Sequence, residues 1–219
     1  MKTIVVVNGA YDWTPHFVGD RVVQVYLNRS RWMTDRGKLW IVDRQGTHRP
    51  DVILWRLGAV TPQPMHRACL EMIRFAGVPC VNPAKTLLRG YDRLGMLCEL
   101  KEAGLPVIPF DCFVGESALD VIQPELPAVL KVGNLHGGAG KARALDPSHW
   151  EACASLATTA NDYATIEPFI DYTRDVRCLA VGEQMWAMDR RSSGWRANVD
   201  TSSYEGIEPP AELRRWTRQ

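Results

Sequence analysis

The sequence predicts an α/β protein in two parts, a parallel-sheet N-terminal domain over residues 1–110 and an α+β unit over residues 111–219. Three observations carry that expectation. In the first half, short apolar runs alternate with helix-length segments, the pattern of a parallel sheet crossed by helices. A shift in composition, punctuated by Pro124 and Pro127, marks a boundary between Phe110 and Pro124. In the second half the apolar run Ala128 to Val132 contains a lysine, Lys131. It is followed by a loop with four glycines, Gly133, Gly137, Gly138 and Gly140, and a second lysine, Lys141.

The bulk numbers exclude several classes. With 219 residues the chain can bury a substantial core. Its 46% hydrophobic and 23% charged content is ordinary for a globular protein. A net charge of +1 creates no global field for nucleic acid or an anionic membrane. No apolar run reaches membrane-spanning length, and Ile4 to Val7 is too short for a signal peptide. Six scattered cysteines without a C-x-x-C pair suggest reduced thiols and a cytoplasmic setting.

In chain order, Thr3 to Val7 reads as an opening strand ending at Asn8-Gly9. Val18, Val22, Val25 and Tyr26 are spaced as on a helix, which predicts a helix from Val18 to Trp32. Leu39 to Val42 and Asp51 to Trp55 are the next strands. Arg56 follows, and is expected to make a structural ion pair, with an acidic substrate as its second reading. Pro64 to Ala76 is a helix, with Gly77 just past its end as a C-cap. Val78 to Val81 is a fourth strand, Asn82-Pro83 opens a helical connector, and Tyr91 to Ala103 is a helix closed by Gly104. Val107 to Val114 is a strand. Lys141 to Leu145 is the return strand of a hairpin. Asp146-Pro147 starts a helix, an N-cap acid before proline at the first helical position. Tyr163 to Ile166 is a strand broken by Glu167-Pro168. Asp175 to Val181 and Gln184 to Met188 form a hairpin around Gly182-Glu183. After Gly194 the periodicity fades.

The chemistry concentrates on the lysine–glycine stretch. A buried lysine is costly unless an anion meets it. Glycines let backbone N–H groups approach that anion closely. Only six of the 26 basic residues are lysine, and two of them flank this loop. Lysine is the compact point charge suited to a phosphate oxygen. The pattern is neither a Walker loop nor a dinucleotide turn. A solvated glycine-rich hairpin is the alternative. At Glu167-Pro168-Phe169-Ile170 the chain is expected to leave the sheet. On the residues alone this reads as an ordinary strand exit, but the freed backbone groups beside an aromatic can also pair with an adenine edge. Asp175 and Arg177 share a strand face and can form a local ion pair. Arg190 and Arg191 can hold a phosphate or carboxylate bidentately, or form a solvated charged turn. Trp195-Arg196-Ala197-Asn198 adds an amide and a guanidinium.

The order of these motifs resembles the ATP-grasp superfamily, in particular the synapsin C domain and the ribosomal-protein glutamate ligases. Tyr163 to Asp171 with Asp175-Val176-Arg177, and His136 to Lys141, are similar to synapsin. Asp51 to Asn82 resembles the family's N-terminal (pre-ATP-grasp) domain. The resemblance implies a nucleotide-binding unit at residues 111–219. Lys131 and Lys141 would contact or lie near the phosphates. Gly137 to Gly140 would close over them as a lid. Glu167, Pro168, Phe169 and Ile170 would form the adenine hinge. Arg190 and Asn198 would face the γ-phosphate and acyl substrate as catalytic groups. Arg93 would stand where the family often has a phosphate-binding lysine.

The implied activity is ATP-dependent carboxylate–amine ligation through an acyl phosphate. The partners would be ATP, a small carboxylate or acidic peptide, and an amine, with homo-oligomers left open. The second reading is a synapsin-type ATP-binding regulatory or scaffold protein without ligase activity. The family also uses Mg²⁺, held by late carboxylates and a Glu-x-Asn element. After Asn198 this sequence offers Asp200, Glu205, Glu208 and Glu212, none in that context. The expectation is an ATP-grasp unit incomplete at its C-terminus, either truncated or a nucleotide-binding relic, with no assignable metal ligands.

Overall fold

In the computed structural model the chain forms two compact units, Met1–Met96 and Leu97–Gln219. Every residue is described except 59, 60, 62, 116–118, 120, 161, 173, 197, 198, 200 and 219.

The N-terminal unit is built on β1 (Thr3–Val7), β2 (Arg21–Val25), β6 (Val52–Trp55) and β7 (Cys80–Val81), all parallel, in the order β2-β1-β6-β7. Between β2 and β6 lies an antiparallel meander of β3 (Arg31–Asp35), β4 (Lys38–Asp43) and β5 (Gly46–His48). Helix α1 (Pro64–Phe75) is followed by α2 (Ala84–Gly90) and by α3 (Arg93–Glu102), of which residues 93–96 belong to this unit. The parallel sheet is buried on both faces, which suits its β-branched strands. Val5, Val7, Val23, Val25, Ile53 and Trp55 join Leu70 and Ile73 of α1 in the larger cluster. Ile4, Val6 and Leu54 form a smaller one on the other side, with Trp13 and Phe17 packed against it.

The helix expected over Val18 to Trp32 is not formed. Residues 21–25 are strand β2, residues 27–29 a 3-10 turn and residues 31–35 strand β3. The helical spacing depended on Val18, which is 94% exposed. The buried pair Val23 and Val25 instead follows the two-residue period of a strand. Asn8, in the left-handed region at φ +56, turns the chain out of β1, and its side-chain oxygen accepts from the Leu27 amide at 2.9 Å. The expected helix end at Gly77 is present, with φ +63.

The C-terminal unit has two antiparallel sheets. The first contains β8 (Asp111–Phe113), β9 (Ala128–Val132), β10 (Lys141–Ala144) and β11 (Ala164–Pro168), in the order β10-β9-β11-β8. The second is β12 (Asp175–Val181), β13 (Gln184–Ser192) and β14 (Thr201–Ile207). Helix α4 (Pro147–Thr158) starts as the sequence indicates, the Asp146 carboxylate accepting from the His149 amide at 2.9 Å. Its Trp150, Ala154 and Ala157 pack on Ala128, Leu130, Ala144, Ala164 and Ile166. Alternation then puts Val129, Lys131, Lys141, Arg143, Thr165 and Glu167 on the opposite face of the sheet. Strand β14 and helix α5 (Ala211–Arg218) occupy the stretch where the sequence shows no clear period.

Candidate nucleotide site

The face away from α4 forms one wall of a cavity of about 700 Å³. Lys131, Lys141 and Glu167 line it from the first sheet, with Pro168, Phe169 and Ile170 from the segment that leaves β11. Asp175, Arg177 and Arg190 line it from β12 and β13, and Trp195 and Arg196 from the segment beyond. Lys131, Lys141, Arg177, Arg190 and Arg196 face two carboxylates, Glu167 and Asp175. That surplus of positive charge, in a volume suited to a small ligand, favours a polyanion.

Lys131 does meet an anion, and the protein itself supplies it. Its ammonium pairs with the Glu167 carboxylate, the two side chains 18% and 6% exposed. The register explains this. Lys131 stands opposite Thr165, and Glu167 opposite Val129, so the two charges are diagonal neighbours on one face. Sequence reasoning asked for an anion here and missed Glu167, although a carboxylate inside an apolar strand was the available signal.

The expected break of the strand at Glu167-Pro168 is corrected as well. Pairing runs through Glu167↔Val129 and Pro168↔Ala128. Proline is tolerated there because β8 pairs only with Ala164 to Ile166, leaving that side of Pro168 without a described strand neighbour that needs an N–H. The chain leaves the sheet one step later, and the Phe169 amide is not freed: it donates to the Pro127 carbonyl at 2.9 Å.

Arg190 presents its guanidinium to Asp175, with Nε at 2.6 Å and Nη2 at 2.5 Å from Oδ1. Beside this pair Arg174 Nε donates to Asp189 Oδ2 at 2.9 Å. Burial pushes the Tyr172 phenol above its ordinary pKa, the Asp175 carboxylate adds to that, and Arg190 partly offsets it. The Tyr172 hydroxyl donates to the Trp195 carbonyl at 3.2 Å. Arg143, not singled out from the sequence, lies 4.9 Å from the Phe169 ring centroid and 5.7 Å from that of Trp195. This stack ties the Phe169 segment to the segment beyond β13.

None of the loop glycines Gly133, Gly137, Gly138 and Gly140 is among the cavity-lining residues; the loop joins β10, whose first residue, Lys141, does line the cavity. Gly133, Gly137, Gly138 and Gly140 have φ of +51, +67, +86 and +63, a conformation that only glycine adopts without strain. At Gly140 a Cβ would also lie 2.4 Å from Leu135 Cδ1. The Gly138 carbonyl accepts from Arg196 Nη1 at 3.1 Å, so a cavity-lining cation holds the loop.

Of the other expected site residues, Arg93 opens α3 in the N-terminal unit and is not among the cavity-lining residues of the C-terminal unit. Asn198 lies outside the described residues, as does Asp200. The described carboxylates do not compose a magnesium site. Glu167, Asp175 and Asp189 are each paired with a cation. Among the described residues no three His, Cys, Asp or Glu side chains converge, whereas a hard dication needs clustered oxygens. No helix among the described residues is long and apolar enough to cross a membrane.

The profile of a family described as "Synapsin, ATP binding domain" matches residues 95–218. A curated relative, synapsin of Drosophila melanogaster, is 29% identical over 236 residues, covering 94% of this chain and 23% of that protein. The chain thus spans about a quarter of that relative's length. Among solved structures, D-alanyl-alanine synthetase A of Vibrio cholerae O1 superposes with a TM-score of 0.70 at 9% identity, covering 99% of this chain and 78% of that one. A RimK-domain ATP-grasp protein of Sphaerobacter thermophilus gives 0.69 at 19% identity, covering 99% and 80%. These likenesses show the ATP-grasp fold.

Proposed function

The chain belongs to the synapsin ATP-binding-domain family, and from that premise we propose that its C-terminal unit binds ATP in the 700 Å³ cavity and uses it to join a carboxylate to an amine. The observation that carries the nucleotide assignment is the cation surplus around a cavity, one of whose cations, Arg196, holds the glycine loop. Lys131 and Lys141 take the phosphates. Gly137, Gly138 and Gly140 cover them. Glu167, Pro168, Phe169 and Ile170 flank the base. Because the Phe169 amide is occupied, base recognition falls to other backbone groups of this segment. Functionally we divide the chain at residues 110 and 111.

In the proposed reaction a carboxylate oxygen attacks the γ-phosphorus, the bond from that phosphorus to the β–γ bridging oxygen breaks, and ADP leaves. An amine nitrogen then attacks the acyl carbonyl, phosphate departs and the nitrogen loses a proton. Arg190 and Asn198 are the proposed partners of the transferring group, whose charge preorganised donors stabilise. For Arg190 this requires exchanging Asp175 for a phosphate oxygen. No step is assigned to Mg²⁺, because the described residues do not form its site.

A second reading, an ATP-binding regulatory protein, is favoured by one observation: the described cavity carboxylates are already neutralised by cations. Incubation with Mg-ATP and a pool of amino acids and acidic peptides separates the two. The ligase reading expects ADP, phosphate and an amide in equal amounts, lost when Lys131 is replaced. Retained ATP binding without turnover supports the binder instead.

A further inference from the structure

The N-terminal unit has a constellation of its own at the carboxyl ends of its parallel strands. In the order β2-β1-β6-β7 the chain runs outward from β1 in one direction and later in the other, so β1 and β6 flank the switch point. Open α/β sheets bind ligands in the crevice at such a point. Arg56 follows β6 directly, and its amide donates to the Val7 carbonyl at 3.0 Å, extending the β1–β6 pairing one step past the strand ends. The loop after β1 lies against it. A Cβ on Gly9 would make ordinary contact with Arg56 Cβ at 3.5 Å but lie 2.9 Å from Val6 Cγ1, so glycine here relieves crowding against Val6.

That loop carries an aromatic cluster. Arg56 Cζ lies 5.6 Å from the Trp13 ring centroid. Trp13 meets Tyr11 edge-on at 5.3 Å, and the Tyr11 hydroxyl and His16 Nε2 are 2.8 Å apart. Arg56 is exposed, and among the described residues no carboxylate pairs with it, contrary to the ion pair expected from the sequence. The Trp13 indole N–H is shut from solvent and has no partner among the described residues. An exposed guanidinium held on an aromatic face, beside an unpaired donor, is a poor stability device, since exposed arginines contribute little and orphan donors cost.

We propose that Arg56, preorganised on Trp13, whose ring is itself packed by Tyr11 and His16, binds a singly charged carboxylate at this switch point. A planar two-oxygen anion matches one guanidinium fork. A phosphate dianion fits less well, because a single arginine would face it while the loop keeps its own negative charges. Asp12 accepts from the Thr14 amide at 2.9 Å, and that bond chiefly holds its carboxyl below the usual range. Asp20 is engaged by the Lys2 amide at 2.8 Å. The assignment rests on the N-terminal unit alone and stands or falls separately from the ATP site.

The test is titration of the ¹⁵N-labelled full chain with sodium acetate, without nucleotide, at constant ionic strength set with chloride. The Trp13 indole resonance is identified by its loss in Trp13→Phe. A saturable shift of that resonance is expected, with acetate binding weakened about tenfold in Arg56→Gln and Arg56→Ala. The glutamine variant, close in length to arginine, guards against a folding defect, which the rest of the spectrum reports. Absence of a saturable shift, an unchanged titration in both folded variants, or equal affinity for inorganic phosphate would overturn the proposal.

Discussion

Lys131 and Glu167, both proposed to meet the nucleotide, are joined in one ion pair. The pair is largely shielded from water, so removing one partner strands the other. Lys131→Ala is expected to cost about 3 kcal/mol in urea unfolding, and Lys131→Met combined with Glu167→Gln to recover most of that loss, because no charge is left unpaired. Equal destabilisation in both variants would show that the ion pair contributes little. Two cysteines make a second prediction at this scale. Burial pushes the Cys69 and Cys80 thiols up to about 11 from an ordinary 9.0. A folded pKa raised above the unfolded value means a contribution that is complete below about pH 9 and lost as pH rises toward 11. Stability should therefore fall through that window, and Cys69→Ala should flatten the fall; parallel pH profiles for the two proteins would contradict it.

The glycine loop between β9 and β10 is the element proposed to close over the nucleotide. With φ +63 and Leu135 against its missing Cβ, Gly140→Ala is expected to distort the loop and weaken ATP binding while leaving α4 and its core intact. In hydrogen exchange, amides 137–140 should exchange faster than those of β9 without ATP and slow when it is added. Full protection in the ATP-free protein would mark a fixed hairpin. The two lysines and four glycines were legible in the sequence because they are neighbours along the chain. The pairs Lys131–Glu167 and Arg190–Asp175 were not identified, because they depend on antiparallel register, a non-local property. The Val18 to Trp32 stretch failed for a related reason. Four apolar residues fit a helix by spacing alone, and the parallel pairing Val5↔Val23 and Val7↔Val25 decided for a strand. Strand β14 is exposed over residues 202–206, so no buried face imposes a readable period on it.

At the scale of the whole molecule, α/β organisation and ATP-grasp likeness were legible because ordered motifs survive where individual strands are ambiguous. If the C-terminal cavity holds ATP, the nucleotide should stabilise the protein by about 2.7 kcal/mol at a hundredfold excess over its dissociation constant. The most direct measurement is calorimetric titration of the full chain with ATP, beside the Lys131→Met/Glu167→Gln variant. One site per chain is expected, weakened about tenfold or more in the variant, since each charge-assisted contact contributes about 1.5–3 kcal/mol. Identical affinity in a folded variant, or no binding by the unmodified protein at about 1 mM nucleotide, would contradict the assignment of this cavity to ATP.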